Sequence, residues 1–137
     1  MDRIGPDSSP LRLIIVQGQS FDLPCGWAIG GELVDLGGYT ARMQIRRRPG
    51  SLVLLDLSSE APESGDEWIQ AITLGPFSLP DANGDEVPLN IRVQVDGEVT
   101  GELDFDTALW DLFLYGGDSD KRLLFGPVRL DQEITRE

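Results

Sequence analysis

From Tyr39 to Arg46 the chain alternates apolar and polar residues without a break. Tyr39, Ala41, Met43 and Ile45 take one set of positions, and Thr40, Arg42, Gln44 and Arg46 the other. A period of two places these rows on opposite faces of a β-strand, one apolar and one bearing arginine. Pro49 suits the second position of a tight turn, and Gly50 supplies the positive φ that follows. Leu52 to Leu57 then returns as a strand. Asp35–Leu57 therefore reads as a hairpin whose apolar row needs a second layer to cover it.

The rest of the chain repeats this grammar. Leu11 to Val16 is a short β-branched strand, and Gln17–Ser20 is a turn. Phe21, Leu23, Cys25 and Trp27 alternate with Asp22, Pro24 and Gly26. Pro24 and Gly26 suit that strand to an edge or a bulge. Gly30-Gly31 is a turn, and Glu32–Asp35 a short extended link. Ser58–Asp66 is a polar loop and Glu67–Leu74 a strand. Gly75–Val87, rich in Gly, Pro, Asp and Asn, is expected to be a long exposed connection. Leu89–Val95 alternates cleanly. Asp96-Gly97 signals a two-residue hairpin turn, with Glu98–Phe105 returning as a strand. Leu109–Tyr115, Lys121–Phe125 and Val128–Leu130 complete the set. One helical turn over Asp106–Leu114 is an alternative, because Leu109, Leu112 and Phe113 have helical spacing. Many short strands with regular turn signals predict an antiparallel sandwich or small barrel. The organisation expected is a flexible arm over residues 1–10 and a single domain over residues 11–137.

Composition removes several function classes. At 137 residues the chain is one domain on size alone and can bury an adequate core. Its longest apolar runs are only a few residues, too short for a membrane-spanning helix. The opening residues lack the apolar core of a signal peptide. There is no histidine, which removes the Ser-His-Asp triad and the commonest general base. Cys25 is the sole cysteine. It forms no intramolecular disulfide and reads as a small buried hydrophobe, not a catalytic thiolate.

The net charge is −13, unevenly spread. Sixteen acids and one base, Arg92, lie between Asp56 and Asp120, while the remaining segments hold eight acids and ten bases. Binding to free nucleic acid is disfavoured by that balance. The acidity suits a basic patch on a partner protein.

No single motif specifies chemistry. Asp81-Ala-Asn-Gly-Asp-Glu86 places oxygens at the first, third and fifth positions of a calcium loop. Glu86 stands where Gly belongs, and Arg92 where a bidentate Glu belongs, so the segment reads as a solvated turn. Glu102, Asp104 and Asp106 share one face of the expected strand, with Asp111 nearby. That is a solvated sheet face rather than a glycosidase pair. Arg46, Arg47 and Arg48 are the protein-contact candidates, able to meet acidic surface on a partner or an adjacent copy. Trp27, Trp68 and Trp110 read as core or rim anchors. No catalytic residue, metal site or cofactor site is expected, and the chain reads as non-enzymatic.

The segment Asp35-Leu-Gly-Gly-Tyr-Thr-Ala-Arg-Met-Gln-Ile-Arg46 resembles a signature of small virion proteins of tailed bacteriophages and prophages. Gln17-Gly18, Phe21 and Trp27 precede it as in those proteins, and Leu54-Leu-Asp-Leu57 follows. A second half matches at Trp110-Asp-Leu-Phe-Leu114, Arg122-Leu-Leu-Phe-Gly126-Pro-Val128 and Glu133-Ile-Thr-Arg136. The resemblance is to the immunoglobulin-like N-terminal domain of upper-baseplate proteins, which attach receptor-binding proteins to a baseplate. It covers residues 11–58 and 108–136; residues 59–107 depart from it. It implies an all-β, antiparallel immunoglobulin-like β-sandwich of about eight strands. The implied role is a structural protein of a tail, baseplate or fibre attachment. Implied partners are other virion proteins and copies of itself, with no free nucleic acid and no membrane. The implied location is the virion, assembled from protein made in the host cytoplasm. A capsid decoration (cement) protein and a carbohydrate-binding module for host recognition are the alternatives.

Overall fold

The structure, a computed structural model, describes residues 3–4, 9–116 and 120–132. In chain order its elements are β1 (Arg3–Ile4), β2 (Ser9–Pro10), β3 (Leu13–Val16), β4 (Phe21–Ile29), β5 (Glu32–Leu33), β6 (Tyr39–Arg46) and β7 (Val53–Ser58). There follow β8 (Ile69–Gln70), β9 (Ile72–Pro80), β10 (Glu86–Val95), the helical turn α1 (Gly97–Thr100), β11 (Thr107–Gly116) and β12 (Lys121–Asp131). Among the described residues, eight strands have four residues or more. Of the expected N-terminal arm, Arg3–Ile4 and Ser9–Pro10 are strands; its other residues and the closing Glu133–Arg136 motif lie outside the described residues.

The strands form two sheets. One runs β1-β4-β10-β9, with β5 folding back on β4. The other runs β2-β12-β11-β6-β7-β8, with β3 also on β12. The long neighbours pair antiparallel. The short terminal strands β1, β2 and β3 pair parallel to their neighbours. A β4-β10-β9 sheet facing a β12-β11-β6-β7-β8 sheet is the strand order of a variable-type immunoglobulin sandwich. The fold class is thus an immunoglobulin-like β-sandwich.

The alternation read in β6 is the alternation observed. Ala41, Met43 and Ile45 are 0–1% exposed, and the partner row faces outward. They meet Ile15, Leu57, Ile91, Val93, Leu112 and Leu114 in one core between the sheets. Each such side chain contributes about 1.5–3 kcal/mol on burial. The hairpin closes as a type II turn: Ser51 N–H donates to Arg48 O at 3.1 Å, and Gly50 has φ 80°. Cys25 is buried, as expected for a small hydrophobe. The helical alternative over Asp106–Leu114 is replaced by β11, whose Ala108, Trp110, Leu112 and Leu114 face the core.

Three segments differ from expectation. Gly75–Val87 is not a long connection. Residues through Pro80 belong to β9, Glu86 opens β10, and only Asp81–Asp85 turns. β9 is bonded on one side only, so Gly75, Pro76 and Pro80 are tolerated in it. Glu67–Leu74 is not one strand. Ile69–Gln70 pairs with β7, then the chain changes sheets at Ala71, whose N–H donates to Ser58 O and whose C=O accepts from Gln94 N–H.

Asp96-Gly97 is not a hairpin turn, and Glu98–Phe105 is not a returning strand. β10 and β11 lie in opposite sheets, so the chain must cross the end of the sandwich, and it does so through α1. Gly97 is there for close approach: a Cβ on it would stand 2.5 Å from Gly18 O. The fully buried Thr100 locks this crossing, its hydroxyl donating to Gln19 O at 2.7 Å and accepting from Gly18 N–H at 3.1 Å. Leu103 and Phe105 still bury, without a ladder.

Candidate functional site

The outward face of the β12-β11-β6-β7 sheet carries the chemistry. On β6 the row is Thr40, Arg42, Gln44 and Arg46, all half-buried. On β11 it is Leu109, Asp111, Phe113 and Tyr115; Leu109 and Tyr115 remain 39% and 41% exposed. Phe113 and Tyr115 stack with centroids 5.6 Å apart. On β12 the Arg122 guanidinium lies 4.2 Å from the centre of the Phe125 ring. At the β7 side Arg42 makes a bidentate pair with Asp56, at 2.9 and 2.7 Å, and caps the Trp68 ring at 4.5 Å. The Asp56 hydrogen bond raises the already high pKa of Arg42.

A cleft of about 320 Å³ opens on this face, walled by Arg46, Arg48, Leu109, Asp111, Arg122 and Phe125. Burial raises the pKa of Asp111 on its floor, partly offset by the Arg122 and Arg46 charges. The arginine run splits around this cleft. Arg46 donates to Ser51 O and to Gln44 Oε1 and holds the cleft wall. Arg47 turns to the β10–β11 connection and donates to Asp104 O at 3.0 Å. Arg48 lines the cleft while its backbone N–H and C=O are engaged by the Ser51 hydroxyl. The third cleft arginine is Arg122, from the other end of the chain, not Arg47.

Sequence reasoning missed Arg122, Phe113 and Phe125 as members of this surface. The signal available was the polar-position row of β11, where aromatic residues occupy outward sites. Asp111 also leaves the acidic group read from sequence, since Glu102, Asp104 and Asp106 are solvent-exposed on the irregular approach to β11. In the candidate calcium loop the Asp81 carboxylate accepts from the N–H groups of Asn83 and Asp85 at 2.8 and 3.0 Å. Among the described residues no three His, Cys, Asp or Glu side chains converge as a metal site.

The tryptophans anchor as expected. Trp110 is buried and its Nε1–H donates to Leu11 O at 2.9 Å. Trp27 is buried and meets Tyr39 edge-on at 6.2 Å. Trp68 is half-buried, bonded to Glu60 O and covered on one face by Arg42. Burial pushes the Cys25 thiol up to about 12, so it carries no thiolate at neutral pH.

No family model matches the chain, and no curated protein matches it. Among solved structures, one from a photo-crosslinking study of multimeric cell-adhesive interactions of VGSC beta subunits is similar at 16% identity. The similarity covers 92% of this chain and 93% of that one, with a TM-score of 0.44.

Proposed function

We propose that this protein is a non-enzymatic docking module that binds other proteins through the outward face of its β12-β11-β6-β7 sheet. The observation that carries the reading is the composition of that face. Stacked Phe113 and Tyr115, Phe125 under Arg122, and the cleft arginines form one aromatic and arginine surface. Those residue types are enriched at the energetic centres of protein interfaces. They project from rigid paired strands, so little ordering entropy is spent on binding. The setting follows from the sequence resemblance: a structural component of a tailed-phage virion, in the tail, baseplate or fibre attachment, contacting other virion proteins and copies of itself.

The test replaces Phe113 and Tyr115 by Ser together. Both are on the outward row, so the sandwich should keep its circular dichroism and cooperative unfolding. Incorporation of the variant into particles should fall steeply. Normal incorporation of the folded variant would sink the reading. Locating the protein in purified particles separates a tail part from a decoration protein, which would cover the capsid.

A further inference from the structure

The docking face leaves binding capacity unused in one place. Arg46 is held by Ser51 and Gln44, but no hydrogen bond or ion pair occupies the guanidinium of Arg48 or of Arg122 among the described residues. Arg122 rests on Phe125, which orients its guanidinium. The cleft thus has three positive groups against the one carboxylate of Asp111.

Matching capacity lies at the other pole. The β9–β10 turn, residues 81–86, is exposed at every position. It is pre-shaped. Asp81 holds the turn through its carboxylate and through its N–H, which donates to Asp85 O at 2.8 Å. The carboxylates of Asp85 and Glu86 accept no hydrogen bond among the described residues. By contrast, in the 59–68 loop Glu60 is engaged by the Thr40 hydroxyl and Asp66 by Glu63 N–H. The acidic turn thus presents two open carboxylate acceptors beside a backbone held by its own hydrogen bonds.

The register shows why these two features cannot meet within one molecule. The cleft lies where Arg46 pairs with Leu109 and Trp110 with Gly126. Arg47 ties that end to Asp104, beyond the crossing that starts where β10 ends at Val95. The acidic turn ends at Glu86, the first residue of the ten-residue β10, at the opposite end of that strand and in the opposite sheet. At about 3.3 Å per residue the two ends of β10 stand roughly 30 Å apart. A cleft and a turn at opposite poles are different patches, so a contact between them is heterologous and propagates from copy to copy.

Resting on the docking reading above, we infer that the Arg46, Arg48 and Arg122 cleft receives the acidic Asp81–Glu86 turn of a second copy of this chain, joining copies head to tail. Asp85 and Glu86 meet Arg48 and Arg122 as charge-assisted hydrogen bonds. The turn backbone is held in advance, so the ordering cost falls on the contacting side chains. Because each copy carries −13, the contact depends on local complementarity and is absent unless cleft and turn are both intact.

The experiment is sedimentation velocity on the full chain, over a concentration series reaching millimolar protein at physiological salt. Two double variants accompany the wild type: Arg48→Ser with Arg122→Ser, and Asp85→Asn with Glu86→Gln. The wild type should associate with rising concentration, and each variant should bind its own kind roughly tenfold or more weaker. An equimolar mixture of the two variants restores one good junction per pair and should stop at the dimer. A monomeric wild type, a variant that associates as the wild type does, or a mixture that fails to pair overturns the inference. A protein that stays monomeric but still depends on Phe113 and Tyr115 for incorporation leaves the docking reading standing alone. One that associates, while its Phe113→Ser, Tyr115→Ser variant incorporates normally, does the reverse.

Discussion

Asn90 offers the sharpest test of how the core is wired. It is 2% exposed, just past the last β4–β10 rung, which pairs Cys25 with Ile91. There its amide takes over the work of the ladder. Oδ1 accepts from Trp27 N–H at 2.9 Å, and Nδ2 donates to Trp27 O at 3.1 Å and to Val34 O at 2.9 Å. In Asn90→Ala the Trp27 carbonyl keeps the Val34 N–H, at 2.9 Å. Trp27 N–H and Val34 O are left without partners. A buried polar group stripped of its partner costs about 1–3 kcal/mol. Val34 is half-buried, so the pair together comes to about 3 kcal/mol. The unfolding entropy of a chain of 137 residues is ~0.29 kcal/mol/K, and the loss should lower Tm by about 10 °C. Chemical denaturation of both proteins should show a shifted midpoint with an unchanged m-value. Asn90→Asp sharpens the point, since its carboxylate would face two carbonyls at neutral pH. Burial raises the folded pKa of such a group, so lost stability should return as the pH falls and a hydroxyl donor forms. A cost below about 1 kcal/mol for Asn90→Ala, or an Asp variant indifferent to pH, would refute the reasoning.

Three further outcomes follow from the same structure. Cys25, with its pKa raised from 9.0 to about 12, binds its proton more tightly when folded. Its contribution to stability is complete below pH 9 and is lost as pH rises towards 12, and a thiol reagent at neutral pH should label it only as fast as the protein unfolds. Gly97→Ala pushes a Cβ to 2.5 Å from Gly18 O and should destabilise the fold by about 1–3 kcal/mol, measurable by urea unfolding; a neutral result would mean that α1 is not seated against that turn. Asp111→Asn removes a carboxylate that burial disfavours and should leave stability at neutral pH unchanged or slightly higher; a loss above about 1 kcal/mol would show that Arg46 and Arg122 depend on its charge.

The sequence made most of the sandwich legible because burial imposes a period of two. β6 and β10 each carry it, and each buries the row that the pattern assigned to the core. Glycine and proline were harder to read because one residue serves several physical ends. Gly50 supplies a positive φ, as its place after Pro49 suggests. Gly97 instead clears space for another backbone, which no local pattern records. Pro76 and Pro80 signal a loop unless the strand is known to be an edge, and that depends on distant pairing. The candidate surface was half legible. Arg46 and Arg48 were visible as a run, but Arg122 joins them only through the β6-β11-β12 ladder, across more than seventy residues of chain.

The parallel seam between β3 and β12 bears on how the module carries load. Leu13 pairs with Val128 and Val16 with Asp131, so the short β3 and the last strand, β12, run side by side in the same direction. The chain enters this seam at one end and leaves it at the other. Tension applied from the Leu13 side of β3 to the Asp131 end of β12 therefore slides β3 along β12, straining all four rungs together instead of peeling them one by one. Leu11 N–H to Phe125 O and Gln17 N–H to Asp131 O extend the same seam at 2.8 Å each. A load carried between Leu11 and Gln132 would be resisted first at this seam, with the hairpin ladders behind it unloaded until it slips.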